Sequence, residues 1–248
     1  MKTLGIIPAR YASTRFPGKP LIEILGKSMI ERVYEQAKKS SALSAVVVAT
    51  DDERIATHVK NFGGDVVMTK ENHPSGTDRC FEVLQKSSGD FEYVINIQGD
   101  EPFIDPSQIN LLGFIIENEK PEIATLMIPC DSHEILFDKG EVKIVMNEKM
   151  RALYFSREVI PHIKGVDEKE WHKHFNYYRH VGMYAYRKDI LEKITQLKPS
   201  MLEKAESLEQ LRWVENGFKI NLGITNHDSH CIDTPEDIEK VLRLMKLK

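Results

Sequence analysis

Through the first hundred positions, short continuous apolar runs alternate with amphipathic stretches. The runs at 4–8, 45–49, 66–68 and 93–97 are brief and rich in Ile and Val, as in strands covered on both faces. Between the first two, residues 28–39 place Met29, Ile30, Val33 and Ala37 on one face of a predicted helix. A second helix opens at Asp51-Asp52-Glu53 and stops at Gly63-Gly64, with acids in its first turn and glycine at its end. A third is predicted over 77–85. This alternation of strand and helix predicts a mainly parallel sheet with helices on both faces.

From about residue 120 the rhythm changes. Residues 124–128, 142–145, 152–155 and 181–186 read as strands with few helical signals between them. The stretch 156–179 is polar, aromatic and irregular, and a loop of that length in a compact domain suits a lid or an interface arm. Helices return over 188–196 and 207–216, the second ended by Gly217, followed by a strand at 219–223. A final helix over 235–245 has Ile238, Val241, Leu242 and Met245 on one side. The pattern therefore predicts an α/β fold in a single domain, 1–248, with a smaller antiparallel insertion at about 125–185.

Composition narrows the class. At 248 residues the chain can bury a substantial core, and 41% hydrophobic with 29% charged residues is the balance of a soluble globular protein. A formal charge of −4 argues against a general nucleic-acid binder, though not against a local cationic pocket. The three cysteines, Cys80, Cys130 and Cys231, lack metal-ligand spacing and read as buried or incidental thiols of a reducing compartment. The apolar stretch before Pro8 is too short for a signal peptide. No run approaches the roughly 20 apolar residues of a membrane span. A cytoplasmic protein without membrane partners is expected.

Four stretches carry candidate chemistry. The loop after the first strand bears Arg10, Ser13, Thr14, Arg15 and Lys19 among small residues. It is either a solvated basic turn or a cradle for a polyanion such as a triphosphate, and open α/β sheets place ligands at this position. Val94–Pro102 runs from an apolar strand into Asp100 and Glu101, which either close a turn or hold Mg²⁺ beside that cradle. In His73–Arg79, Ser75 or Thr77 fits an N-cap, and the same turn offers backbone amides to a polar or anionic group. Near the end, Thr234 as N-cap, Pro235 in the first turn and Asp237 three residues after the cap explain a helix start but do not require Asp233. His172 and His174 are too few for a zinc site.

Residues 7–20, Ile-Pro-Ala-Arg-Tyr-Ala-Ser-Thr-Arg-Phe-Pro-Gly-Lys-Pro, closely resemble the signature of the 3-deoxy-manno-octulosonate (Kdo) cytidylyltransferases. Gln98-Gly-Asp-Glu-Pro102 and Ile232-Asp-Thr-Pro-Glu-Asp237 are similar to two further motifs of that family. The resemblance implies a Rossmann-like, three-layer nucleotidyltransferase that joins CTP to Kdo for lipopolysaccharide biosynthesis, and a homodimer. It implies that Arg10, Arg15 and Lys19, with Ser13, hold the triphosphate. Pro8, Ala9 and Arg10 with the Ser75-Gly76 turn would read the cytosine. Asp100 and Asp233 would bind Mg²⁺ and, with Arg10 and Lys19, form the catalytic set.

Segments 153–157, 179–186 and 208–212 also resemble the family. They imply Arg157 for the sugar carboxylate, with His180, Tyr184, Glu209 and Gln210, besides Gln98, as sugar contacts. Singly, Tyr184 also reads as core, His180 as a structural histidine and Glu209 as a first-turn acid. One segment departs: where family members continue Ser-Arg-x-x-Ile-Pro into aromatic-Asp-Arg, this chain has His162-Ile163-Lys164. That leaves a related acid sugar, 8-amino-8-deoxy-Kdo, as an alternative substrate. A sialic acid fits less well because Ser13-Thr14-Arg15 differs from the Lys-Gly loop of those enzymes. The rival from another class is a catalytically silent nucleotide-binding regulator.

Overall fold

The computed structural model describes residues 1–12, 16–228 and 230–246, without the side chains of 244–246, and divides into two compact units. The first comprises 1–113 and 229–248, the second 114–228.

In the first unit, β1 (Thr3–Ala9) leads through a loop and the small hairpin of β2 (Glu23–Ile24) and β3 (Lys27–Ser28) into α1 (Met29–Lys38). Ser28 caps that helix by accepting from the Glu31 amide at 3.2 Å, and the predicted face, Met29, Ile30, Val33 and Ala37, is buried with Tyr34. β4 (Ala45–Thr50) follows. Asp52, accepting from the Arg54 amide at 2.9 Å, caps α2 (Glu53–Asn61), and β5 (Val66–Met68) comes next. Ser75 caps α3 (Gly76–Lys86), which feeds β6 (Tyr93–Asn96). All pairings in this unit's main sheet are parallel, in the order β6-β1-β4-β5, with Ile6 opposite both Val47 and Asn96. Ile6, Ile7, Val48, Val94 and Ile95 are fully buried, which explains why these strands read as unbroken apolar runs.

The chain moves outward from β1 to β5, then returns to add β6 on β1's other side. That reversal makes the carboxyl ends of β1 and β6 the switch point at which such sheets bind ligands.

Residues 106–119, to which the apolar pattern assigned no element, form α4 (Pro106–Glu119). Ile109, Leu112, Ile115 and Ile116 are buried while Phe114 is exposed, so apolar residues occupy more than one face and blur the helical period.

In the second unit most strand pairs are antiparallel. Its strands are β7 (Ile123–Pro129), β8 (Lys143–Met146), β9 (Ala152–Ser156), β10 (Tyr178–Arg187) and β11 (Ile220–Ile224). β11 lies parallel to β7, while β7-β10, β10-β8 and β8-β9 are antiparallel. The short helix α5 (His133–Phe137) follows β7, and α6 (Trp171–His174) interrupts the irregular stretch before β10. That stretch is anchored by a core of Cys130, Leu136, Trp171 and Tyr177. In the departing segment, Ile163 packs on this core and His162 meets the Trp171 ring edge-on at 4.8 Å, lining a cavity of about 420 Å³. α7 (Lys188–Thr195) and α9 (Glu209–Glu215) fall where helices were predicted. Between them α8 (Met201–Glu206) is opened by a Ser200–Glu203 capping box.

Finally α10 (Pro235–Lys246) returns to the first unit, where Val241, Ile238 and Leu242 join Ile24, Met29 and Ile232. Its predicted contact at Met245 lies outside the described side chains. Among the described residues no helix is long and apolar enough to cross a membrane.

Candidate active site

Near the end of β1 Pro8 is half-buried and Ala9 buried, and two turns close on Pro8. A Cβ on Gly76 would lie 3.6 Å from the Pro8 ring and 3.6 Å from Asn96 Nδ2, which sets the Ser75-Gly76 turn against the ends of β1 and β6. Ser75 accepts from the Asp78 amide at 3.2 Å and donates to the Asp78 carboxylate at 2.6 Å, so its side chain caps α3. The backbone amides of the first helical turn remain the groups suited to a polar base edge. Arg10 donates through Nη2 to the His73 carbonyl, tying the basic loop to this turn. His73 in turn pairs with Glu82, whose carboxylate is held near 2: burial opposes its charge, but Lys86, His73 and the Lys70 amide outweigh it.

The second turn carries Gln98, Gly99 and Asp100. Gly99 passes so close to β1 that a Cβ there would stand 2.5 Å from the Pro8 carbonyl oxygen. The basic loop closes when the Gly18 amide donates to the Tyr11 carbonyl at 2.9 Å, with Gly18 at φ +72°, in the left-handed region that favours glycine. Lys19 follows directly and points into the site. Its Nζ donates to Asp100 Oδ2 at 2.8 Å and to Asp233 Oδ1 at 3.1 Å, joining residues 81 and 214 positions away. Burial pulls the ammonium down, yet Asp100 and Asp233 prevail and raise it, so Lys19 is fully charged at neutral pH.

The third segment is held by backbone. The Ile232 amide donates to the Asp100 carbonyl at 3.0 Å. The Asp237 carboxylate accepts from the amides of Asp233 at 3.0 Å and Thr234 at 2.8 Å. This is the cap foreseen at Thr234–Asp237, and it leaves the Asp233 side chain directed at Lys19. Asp100, Asp233 and Cys231 each offer an atom to a cluster in which all three lie within 4.8 Å of one another. Two carboxylates already sharing one cation suit Mg²⁺, whose shell takes one or two carboxylates plus phosphate and water.

Cys231 is the residue the sequence reading did not place here. Cys80 and Cys130 are buried, but Cys231 is exposed, and its sulfur lies within 4.8 Å of an Asp100 carboxylate oxygen. Desolvation of the sulfur, then the charges of Asp100 and Asp233, push that thiol up. No local signal marks it, because its partner is far away in the chain. Of the loop candidates, Ser13, Thr14 and Arg15 lie outside the described residues.

The remaining candidates belong to the second unit. His180 and Tyr184 stand 5.1 Å apart ring to ring, and Tyr184 meets Trp213 edge-on at 5.1 Å. The Tyr184 hydroxyl is buried and has no hydrogen-bond partner among the described residues, and the same holds for Trp213 Nε1. Buried polar groups seldom stay unpaired, so this pair of donors is suited to a hydroxylated ligand. Burial raises the Tyr184 hydroxyl well above its ordinary range, and the Glu209 charge adds to it. Gln210 is buried on α9 beside Glu209. Arg157 spends two donors on backbone, Nε to the Glu206 carbonyl at 2.9 Å and Nη1 to that of Lys139 at 3.3 Å.

His180 shares a hydrogen bond with Thr125 Oγ1 at 3.0 Å, and burial pulls its imidazole down to about 3. It is therefore neutral at physiological pH. An NMR titration of the ring carbons is expected to show a midpoint well below 6.5. The unfolded chain takes up this proton first, so the contribution to stability fades as pH falls from about 6.5 toward 3. A midpoint at or above 6.5 would contradict the burial.

A family model described as cytidylyltransferase matches residues 4–220. The 3-deoxy-manno-octulosonate cytidylyltransferase of Parabacteroides distasonis is 53% identical over 249 residues, covering 99% of this chain and 98% of its own. That of Bacteroides thetaiotaomicron is 52% identical, covering 99% of each. Among solved structures, a CMP:2-keto-3-deoxy-manno-octonic acid synthetase complexed with CTP superposes with a TM-score of 0.91 at 42% identity, over 100% of this chain and 99% of the other.

Proposed function

Because the chain belongs to the 3-deoxy-manno-octulosonate cytidylyltransferase family, we propose that it transfers the CMP moiety of CTP to the C2 hydroxyl of Kdo and releases pyrophosphate. The anomeric oxygen forms a bond to the α-phosphorus as the α–β anhydride breaks. Its electron pair leaves on pyrophosphate, and the hydroxyl proton passes to solvent. Such a transfer asks the protein mainly for positioning and charge neutralisation.

The observation that carries the reading is the meeting of Lys19, Asp100 and Asp233 at the switch point of the sheet. Lys19, with Arg10 and Arg15, offers fixed positive charge to the triphosphate. The Ser75-Gly76 turn and the backbone at Pro8 and Ala9 border the place for the base. Asp100 and Asp233 would hold Mg²⁺, which when bound would neutralise phosphoryl charge and lower the pKa of a bound hydroxyl. Arg157, His180, Tyr184, Glu209 and Gln210 are the proposed sugar contacts of the second unit. A neutral His180 and an unpaired Tyr184 hydroxyl suit sugar hydroxyls. On the same reading the protein is a cytoplasmic homodimer serving lipopolysaccharide assembly, and a monomeric mass by light scattering counts against the dimer.

Pyrophosphate release with CTP and Mg²⁺ tests the proposal, run with Kdo, 8-amino-8-deoxy-Kdo and sialic acid in parallel and with other nucleotides in place of CTP. Release with CTP and Kdo is expected. Release with the amino sugar alone keeps the chemistry and transfers specificity to that substrate. Silence from a folded protein that binds CTP leaves the regulator.

A further inference from the structure

The proposed Mg²⁺ site has a third ligand-bearing side chain that hard-cation chemistry does not need. Cys231 Sγ lies with one oxygen each of Asp100 and Asp233 in a group whose atoms are all within 4.8 Å of one another. Mg²⁺ selects oxygen donors, whereas thiolate selects zinc, cadmium and other soft cations. The group is preformed rather than an accident of flexible side chains. The Ile232 amide ties residues 231–233 to the Asp100 carbonyl at 3.0 Å, and Asp237 clamps the Asp233 amide at 3.0 Å. The carboxylates already share a positive charge, since the Lys19 ammonium lies 2.8 Å from one and 3.1 Å from the other. That ammonium comes from a separate element and stands in for a cation at their common face.

We propose that Asp100, Cys231 and Asp233 form a binding site for a thiophilic divalent cation of the zinc and cadmium class, in competition with Mg²⁺. The inference rests on the proposed Mg²⁺ reading for the two carboxylates and adds the thiol. On binding, the Cys231 S–H loses its proton to solvent, the sulfur–metal bond forms, and Lys19 leaves the shared face with its proton retained. Three protein ligands with an open fourth position is the donor count of catalytic rather than structural zinc sites. The soft cation therefore remains open to water or phosphate, and its affinity rises with pH because a thiol proton is released.

Cadmium titration of the CTP-free full chain tests this by the sulfur-to-metal charge-transfer band in the ultraviolet, which needs no turnover. One equivalent is expected to develop the band, and excess Mg²⁺ to shift the titration to higher cadmium. Cys231→Ser removes the band while circular dichroism stays that of the folded protein. Asp100→Asn and Asp233→Asn each weaken cadmium binding by about tenfold or more. The proposal is overturned by absence of the band in the wild type, by a band surviving Cys231→Ser, or by affinity indifferent to both aspartate substitutions. The last outcome would mean a thiol binding by itself. A failed titration leaves Mg²⁺-supported pyrophosphate release untouched, and failed pyrophosphate release leaves the titration readable, so the two readings fall separately.

Discussion

Asp100→Asn is expected to lower turnover by about 10²–10³-fold or more while the protein remains folded. The substitution keeps the size of the side chain and one acceptor oxygen, removes the charge and replaces the other oxygen by an amide NH2 donor. Lys19 retains Asp233 at 3.1 Å, so the loss of the 2.8 Å partner leaves no isolated buried ammonium. Both Asp100 and Lys19 have partly exposed side chains, which lets solvent screen what remains. The turn itself is held by backbone, through the Asp100 carbonyl and the Ile232 amide, and does not depend on the carboxylate. Activity, in contrast, loses one of the two charges proposed to hold the metal. Steady-state kinetics at rising Mg²⁺, beside a thermal melt, separates the cases. A lost kcat that excess Mg²⁺ does not restore, with an unchanged melt, is the expected result. Near-normal kcat would remove Asp100 from the metal site. Asp233→Asn should act in the same direction.

Much of this arrangement could be read from the chain because local physics and site chemistry point the same way. Strands buried on both faces leave unbroken apolar runs, so β1, β4 and β6 stood out, and the polar residues following β1 and β6 marked the carboxyl edge of the sheet. Asp233 was singled out by the resemblance of Ile232–Asp237 to a family motif, the helix cap accounting for Thr234 and Asp237 without requiring it. The elements that escaped did so for physical reasons. α4 is apolar on more than one face and shows no clean period. Trp213, which joins the His180 and Tyr184 that the family resemblance had named, was missed because its contact with Tyr184 depends on packing between β10 and α9, which no local window contains. Cys231 is an ordinary exposed thiol until the fold brings Asp100 beside it. The departing residues His162 and Ile163 are explained by the Trp171 core they pack on, a contact fixed only by tertiary structure.

Gly99→Ala should damage both stability and catalysis, although it alters no charged or hydrogen-bonding side chain. Its Cβ would stand 2.5 Å from the Pro8 carbonyl oxygen and 3.5 Å from Ile7 Cγ2. The first neighbour is backbone of a buried strand paired on both sides, so it cannot yield as a flexible side-chain end does. The 98–100 turn must retreat instead, by about 0.9 Å to reach ordinary contact at 3.4 Å. Overpacking of this kind costs about 1–3 kcal/mol. The larger effect falls on Asp100, the next residue, which is carried away from Lys19 and Asp233. Misplacement on that scale costs on the order of 10²-fold in rate. Gly76→Ala supplies the comparison for stability: its nearest contacts would be 3.6 Å, and the position opens a helix, so the melt should hold or rise. A Gly99→Ala protein with the melting temperature and turnover of the parent would show that β1 and the Asp100-bearing turn are not packed in the contact described. A protein that melts lower but turns over normally would keep the contact and deny that it positions Asp100.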